Sequence, residues 1–366
     1  MPASVAPGRE RGRSSGRAAG RIGGGLAGRR VARAEEAQPR SQLVAIQRAR
    51  LLAAAVGAVD ELGYAETSVA NIVARSRVSR RTFYETFANR DECLAAVLED
   101  ALERAALELR GAGLEGLAWR ERLRVGLWRI LSFLDRDPAL ARVCVVQALG
   151  GGPATLALRE RAMAHLADAV DEGRRESARG GECTRLTAEG LVGAAYMIVY
   201  GRLARHAPEP LSDLLGELLG LIVLPYLGPA AARREQARPA PPAVPATLAA
   251  EAEAGLTASR MARDPLDGVT MRLTYRTVRV LQVVAELSRS GAGPSNRQVA
   301  DHAGIADPGQ VSKLLRRLQQ LELLQNSGGG HAKGEPNAWA LTAKGEGVER
   351  SIRARSSQPP RERVAA

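Results

Sequence analysis

Helix-capping residue types recur at near-equal intervals between positions 67 and 92, and this spacing constrains the fold more than any other feature of the chain. Thr67 or Ser68, then Ser79, then Asn89 each offer a side-chain oxygen to the unpaired N–H groups at a helix start. Each interval leaves room for about two turns, and helices that short are not stable alone in water. They must pack on one another. Upstream, Leu52, Val56, Val59 and Leu62 keep helical spacing until Gly63 stops the run. The second helix then holds Val69, Ile72 and Val73, and a tight break at Ser76-Arg77-Val78 leads to the third. Ser79-Arg80-Arg81-Thr82 opens that third helix, and Asn89 with Glu92 forms a capping box for a fourth. Two short helices joined by a turn, the second beginning with an exposed basic turn, make a helix-turn-helix whose second helix can enter the DNA major groove.

The stretch Thr67-Ser-Val-Ala-Asn-Ile-Val-Ala, followed by Val78-Ser-Arg-Arg-Thr-Phe-Tyr-Glu-Thr-Phe-Ala-Asn-Arg-Asp-Glu-Cys-Leu94, resembles the TetR family of bacterial transcriptional regulators. Tyr84, Phe87 and Arg90 fill that family's aromatic and basic positions ahead of its fourth helix. The resemblance implies that Thr67, Ser68 and Tyr84 contact phosphates, that Arg80, Arg81 and Thr82 lie at the base or its edge, and that Arg90 clamps the DNA backbone; the cap residue Ser79 is counted with the DNA-binding residues. A guanidinium bridging guanine O6 and N7 suits the arginines. As surface residues they would equally be merely solvated. Where the family has Ala-Gly in the turn, this chain has Ser76-Arg77, which is strained if the turn needs positive φ.

Charge segregates along the chain. Of the net +12, residues 1–40 carry +6 and 41–90 carry +3, whereas 91–269 carry −4; 270–350 add +4 and 351–366 add +3. The positive charge therefore lies at the two ends, as a polyanionic partner would require. Composition marks six segments. Residues 1–41 form a basic arm with too few large apolar groups to build a core. The helix-turn-helix domain occupies 42–97 and a helical region 98–228. An Ala/Pro-rich linker spans 229–270, a further domain 271–352 and a basic tail 353–366.

Helical patterning continues over 91–110, 117–135, 138–149, 153–179, 187–206 and 211–227. The family resemblance implies an effector-binding and dimerisation domain over 98–228. Leu211–Leu224 is apolar on more than one face and must be buried on both sides. Gly216 and Gly220 would let another helix approach closely, so a homodimer through the last two helices of this region is expected; a fully internal helix of the monomer is the alternative. Trp119, Trp128, Phe133, Met163, His165, Tyr196 and Tyr200 are candidates to line a pocket for an unidentified small-molecule effector. Each would serve equally as core.

Beyond 271, Val278, Leu281 and Ala285 mark a helix, and Ser295-Asn-Arg-Gln298 is a capping box for a short second one. Asp307-Pro308 caps a third, in which Val311, Leu314, Leu315, Leu318 and Leu321 turn inward. Gln310, Lys313 and Arg317 recur on its other side, beside Arg316. A hairpin near 321–342, with His331 and Lys333 at a Gly-rich tip, precedes a last helix beginning at Thr342-Ala-Lys-Gly. This order resembles the winged-helix domains of MarR-like regulators. The resemblance implies a second DNA contact through Lys313, Arg316 and Arg317, with His331 and Lys333 on the backbone, although winged helices also serve as protein-contact modules.

Other classes are disfavoured. Three cysteines and four histidines give no metal-ligand spacing, so no metal and no cofactor are expected. Gly12-Arg-Ser-Ser-Gly16 and Gly23-Gly-Gly-Leu-Ala-Gly28 match catalytic and nucleotide motifs literally but lack the strand each requires. No apolar run reaches the ~18 residues of a membrane helix, and the basic N-terminus has no signal-peptide core. The chain therefore reads as a mainly all-α, cytoplasmic, nucleoid-associated, non-enzymatic regulator. A TetR-type helix-turn-helix and a helical ligand and dimerisation domain precede a separate winged-helix (α+β) domain. The implied function is sequence-specific binding of double-stranded DNA by a dimer on a pseudo-palindrome, as a ligand-responsive repressor. A low-specificity architectural protein and a regulator with a protein-binding winged helix remain open.

Overall fold

The computed structural model describes residues 24–177, 183–240, 274–289, 293–328 and 337–354, with side chains from 41 to 353 within those limits. The N-terminal unit comprises α1 (Gly24–Leu62), α2 (Val69–Ser76), α3 (Arg80–Thr86) and α4 (Arg90–Arg110). Each expected cap is in place. Ser68 accepts from Asn71 N in a capping box, Ser79 accepts from Thr82 N, and Asn89 accepts from Glu92 N at 2.8 Å. The reciprocal half of the last cap is shifted: Glu92 accepts from Ala88 N at 2.5 Å, one residue upstream of Asn89. Gly63 ends α1 at φ +81. Leu51, Ala55, Val59, Ile72, Phe83, Phe87, Leu94 and Val97 form the core, and Leu140 and Val143 from the next unit join it.

The expected unstructured arm 1–41 is helical from Gly24. Its lack of large apolar groups precludes a core, but its alanines, arginines and glutamates are good helix formers that prolong α1. The rest of the arm lies outside the described residues. One stretch, Ser41–Leu62, is long and apolar enough to cross a membrane; 61% of it is buried inside the protein, as a core helix is.

The second unit contains α5 (Trp119–Arg136), α6 (Pro138–Val145), α7 (Pro153–Asp171), α8 (Gly173–Glu176), α9 (Arg185–Ala204), α10 (Leu215–Leu227) and α11 (Pro229–Ala237). The apolar α10 buries Leu215, Leu218, Leu219, Ile222, Val223 and Tyr226, as its two-sided pattern required. Its glycine steps do not face a second copy. A Cβ at Gly216 would stand 2.9 Å from the Gln236 carbonyl oxygen, and one at Gly220 only 2.7 Å from the Gln236 side chain. The helix that approaches closely is the chain's own α11, which occupies the start of the expected 229–270 linker. Pro229 at its first position, after Gly228 at φ +79, lets the chain fold straight back. Residues 241–273 lie outside the described ones.

The third unit has α12 (Tyr275–Ser288), α13 (Asn296–Ala303), α14 (Pro308–Gln320), strands β1 (Leu324–Asn326) and β2 (Trp339–Leu341), and α15 (Ala343–Ala354). The strands are antiparallel, with Leu324 opposite Leu341 and Asn326 opposite Trp339. This is the order of elements of a winged helix. Asn296 ties it together: its Oδ1 accepts from Trp339 Nε1 at 2.6 Å and its Nδ2 donates to Ser312 Oγ at 3.0 Å. Gly345 is obligatory, since a Cβ there would lie 2.0 Å from the Leu323 carbonyl oxygen. The core of Val278, Leu281, Val284, Leu315, Leu318, Trp339 and Ile352 also takes in Ile46 of α1. The unit therefore has its own core without standing apart from the rest.

Candidate nucleic-acid interface

Helix α3 is anchored by Phe83, which is fully buried. Arg80, Arg81 and Tyr84 remain outside the core. Arg80 is exposed, with its guanidinium 5.9 Å from the Tyr84 ring centroid. Arg81 is exposed and pairs with Glu85 at 2.8 Å one turn on. Tyr84 is 49% exposed. Thr82 is half-buried, its hydroxyl 2.7 Å from that of Ser79. Ser68, at the start of α2, is exposed, though its hydroxyl is engaged with Asn71.

Two expected phosphate contacts turn inward. Thr67 is 1% exposed and donates its hydroxyl to the Gly63 carbonyl at 2.8 Å. Arg90 donates to the carbonyls of Tyr64, Ala65 and Thr67 at 3.2, 3.3 and 2.8 Å, and lies 4.6 Å from the Tyr64 ring centroid. A loop that turns from α1 into α2 leaves its carbonyls without helical partners, and this guanidinium satisfies them. Its place in the sequence says basic; only the folded loop shows what it neutralises. The turn between α2 and α3 carries Arg77 at φ +58, ψ 19, a left-handed conformation that costs a side-chain-bearing residue about 1–2 kcal/mol.

The junction with the second unit is polar and specific. Arg142 of α6 holds Asp60 through two hydrogen bonds of 2.6 and 2.7 Å. Gln147 accepts from Tyr64 N at 3.1 Å, and Tyr64 OH donates to Asp91 at 2.7 Å. Burial and the Asp91 carboxylate together hold the Tyr64 phenol above its ordinary pKa. Sequence reasoning missed Asp60, Gln147 and Arg142, because nothing local relates positions 82 residues apart.

On α14, Lys313, Arg316 and Arg317 are exposed, opposite the buried Val311, Leu315 and Leu318. Gln310 is exposed and accepts from Arg276 at 2.6 Å. His331 and Lys333 lie outside the described residues.

The seven candidate pocket residues do not converge. Trp119 is 1% exposed, donates from Nε1 to the Ala169 carbonyl at 2.9 Å and stacks edgewise on Tyr226. Met163 packs in that same cluster, Trp128 beside Leu131 and Val199, and Phe133 against the core of the N-terminal unit. Tyr196 donates to the Val145 carbonyl at 2.5 Å and accepts from Arg159. His165 is exposed, and Tyr200 is half-buried on α9. Residue type makes them pocket or core candidates without showing which cluster each would join. A cavity of about 10 Å³, room for roughly one water, lies instead at the junction, lined by Tyr64, Leu98, Cys144, Gln147 and Thr155 among others. Among the described residues no cluster of His, Cys, Asp or Glu could hold a metal ion.

Residues 51–97 match the tetR family of bacterial regulatory proteins. No curated protein matches the chain. Among solved structures, the fatty acid degradation regulator FadR from Bacillus halodurans is 19% identical and covers 48% of this chain and 94% of its own, with a TM-score of 0.44. A TetR-like transcriptional regulator from Rhodococcus sp. RHA1 is 27% identical, covering 47% and 93%, with a TM-score of 0.41. FadR from Bacillus subtilis, solved with stearoyl-CoA, is 20% identical, covering 48% and 97%, with a TM-score of 0.41. The matched segment runs from the middle of α1 through α2 and α3 into α4, the elements that carry Arg80 and Arg81. Over residues 51–97 the chain thus matches the N-terminal domain of the tetR family of bacterial regulatory proteins.

Proposed function

We propose that this protein is a sequence-specific transcriptional regulator that binds a pseudo-palindromic operator as a homodimer and is released from it by a small-molecule effector. The observation that carries the reading is the first turn of α3: Arg80 and Arg81 project from a helix whose opposite side is pinned by Phe83, inside a family-matched domain. Pinned backbone with exposed guanidinium groups is what base-edge recognition in a major groove needs. Ser68, Ser79, Thr82 and Tyr84 border that turn.

Dimerisation is assigned to α9 and the exposed edge of α10. Leu186, Met197, Ile198 and Leu224 are 73, 57, 40 and 42% exposed. On α9, Gly190 and Gly193 lie between Leu186 and Met197 at helical spacing with open space before them. Two copies pairing there would bury apolar groups that are costly to leave in water. The helical region 98–228 would house the effector, and the 271–352 unit would act as a MarR-like second DNA contact through Lys313, Arg316 and Arg317. A cytoplasmic, nucleoid-associated location follows from that role.

The test is selection from a pool of random DNA duplexes by the full chain. A two-fold symmetric sequence with half-sites ~34–36 Å apart, or a multiple of that, is expected. The Arg80→Ala/Arg81→Ala protein should select nothing. Tight binding without any enriched sequence would favour an architectural protein instead.

A further inference from the structure

Helix α1 serves two cores in series. Leu51, Leu52, Ala55 and Val59 belong to the helix-turn-helix core. Just upstream, Ile46 is fully buried in the core of the third unit, with Leu43 packed against it. Gln42 is 4% exposed and accepts a 2.6 Å hydrogen bond from Gln282 Nε2 of α12. The contact engages α12 and α15, while the basic side of α14 remains exposed. Ile46 and Leu51 are five residues apart on one continuous helix, a rise of only ~7.5 Å.

From this we infer that α1 is a rigid spine that fixes the C-terminal unit beside the helix-turn-helix, so that both engage one contiguous duplex as a single bipartite reader. The inference rests on the DNA-binding reading above. In each protomer α3 reads a half-site, and Lys313, Arg316 and Arg317 contact backbone phosphates of the flanking duplex. Docking through α12 and α15 leaves the basic side of α14 exposed, so docking and phosphate contact do not compete. The separation of the two footprints is then set by α1 and not by the length of the segment joining α11 to α12.

The test uses the full-length dimer on its selected operator carried in a longer duplex, read by hydroxyl-radical footprinting and by the salt dependence of binding. Inserting twenty Gly/Ser residues after Pro245 should leave the flanking protection in place and the affinity within about twofold, because docking fixes the geometry. Joining Gln42→Cys to Gln282→Cys with a short bismaleimide should leave both footprints intact. Lys313→Ala/Arg316→Ala/Arg317→Ala should erase only the flanking protection and lower the slope of log affinity against log salt by about 0.9 per lost contact. If cross-linking abolishes flanking protection, or insertion does, the units must move apart to bind and the spine is wrong. If the triple variant changes neither footprint nor slope, the C-terminal unit does not touch DNA; the helix-turn-helix reading stands and the bipartite reader falls. If the wild-type chain selects no sequence, it is the underlying DNA-binding reading that fails.

Discussion

Arg124 on α5 and Glu235 on α11 form a salt bridge of 2.9 Å with both side chains almost wholly buried, at 2 and 3% exposure. Arg124 also donates to the carbonyls of Arg238 and Pro239, each at 2.6 Å, and so satisfies the C-terminal end of α11. Arg120 supports the same carboxylate at 3.2 Å. The pair latches α11 over the glycine steps of α10, which explains why residues of linker-like composition form a packed helix.

Removing Glu235 leaves Arg124 buried without its charge partner, and removing Arg124 leaves the buried Glu235 with only Arg120, itself 38% exposed. Arg124→Met should cost about 3–5 kcal/mol in urea unfolding. Arg124→Met/Glu235→Leu should recover part of that loss, the residue being the unsatisfied carbonyls of Arg238 and Pro239. An unchanged unfolding midpoint in the single variant would contradict the latch.

Arg77 gives the opposite sign. It is exposed and sits at φ +58, where glycine carries no Cβ penalty. Arg77→Gly should stabilise the protein by about 1 kcal/mol, a rise in Tm of about 2–4 °C. DNA affinity, measured with the selected operator, should stay within a few-fold.

Arg80 and Arg81 should separate cleanly from Arg90. The Arg80→Ala/Arg81→Ala protein is expected to keep its Tm and lose operator binding. Arg90→Ala releases three loop carbonyls, so both Tm and binding should fall together. Loss of binding at unchanged Tm in Arg90→Ala would return that residue to the DNA surface.

Buried thiols predict alkaline instability. Burial pushes the Cys93 and Cys144 thiols up from their ordinary value to about 12, and the Tyr226 phenol to about 12. Their neutral forms are thus favoured in the folded state, and the stability they contribute is intact below about pH 9. It is lost as pH rises toward 12, because the unfolded chain releases protons first. The urea midpoint should drop between pH 9 and 11, and less steeply in Cys93→Ala. Native Cys93 should resist iodoacetamide at pH 8 and react on unfolding.

Much of this was legible locally. The caps at Ser68, Ser79, Asn89 and Ser295, the stop at Gly63, the strain at Arg77 and the order of elements after 274 all follow from interactions spanning a few residues. Residue type and spacing signal each of these, although Thr67 and Ser68 are equal candidates for the first cap. The inward roles of Thr67 and Arg90 escaped because composition reports that a hydroxyl or a guanidinium is present and not which carbonyl it meets.

The sequence by itself determined the short helices, their termini, the apolar faces and the basic turn of α3, since capping, periodicity and φ preference act within one or two turns. Tertiary structure alone decided who fills each face. Gly216 and Gly220 admit any helix, and only the fold-back at Gly228-Pro229 makes that helix α11. Ile46 is an ordinary apolar position on a long helix, and only the arrival of α12 and α15 makes it part of a second core. Burial is non-directional, so an apolar stripe specifies that it must be covered and leaves its cover to the rest of the chain.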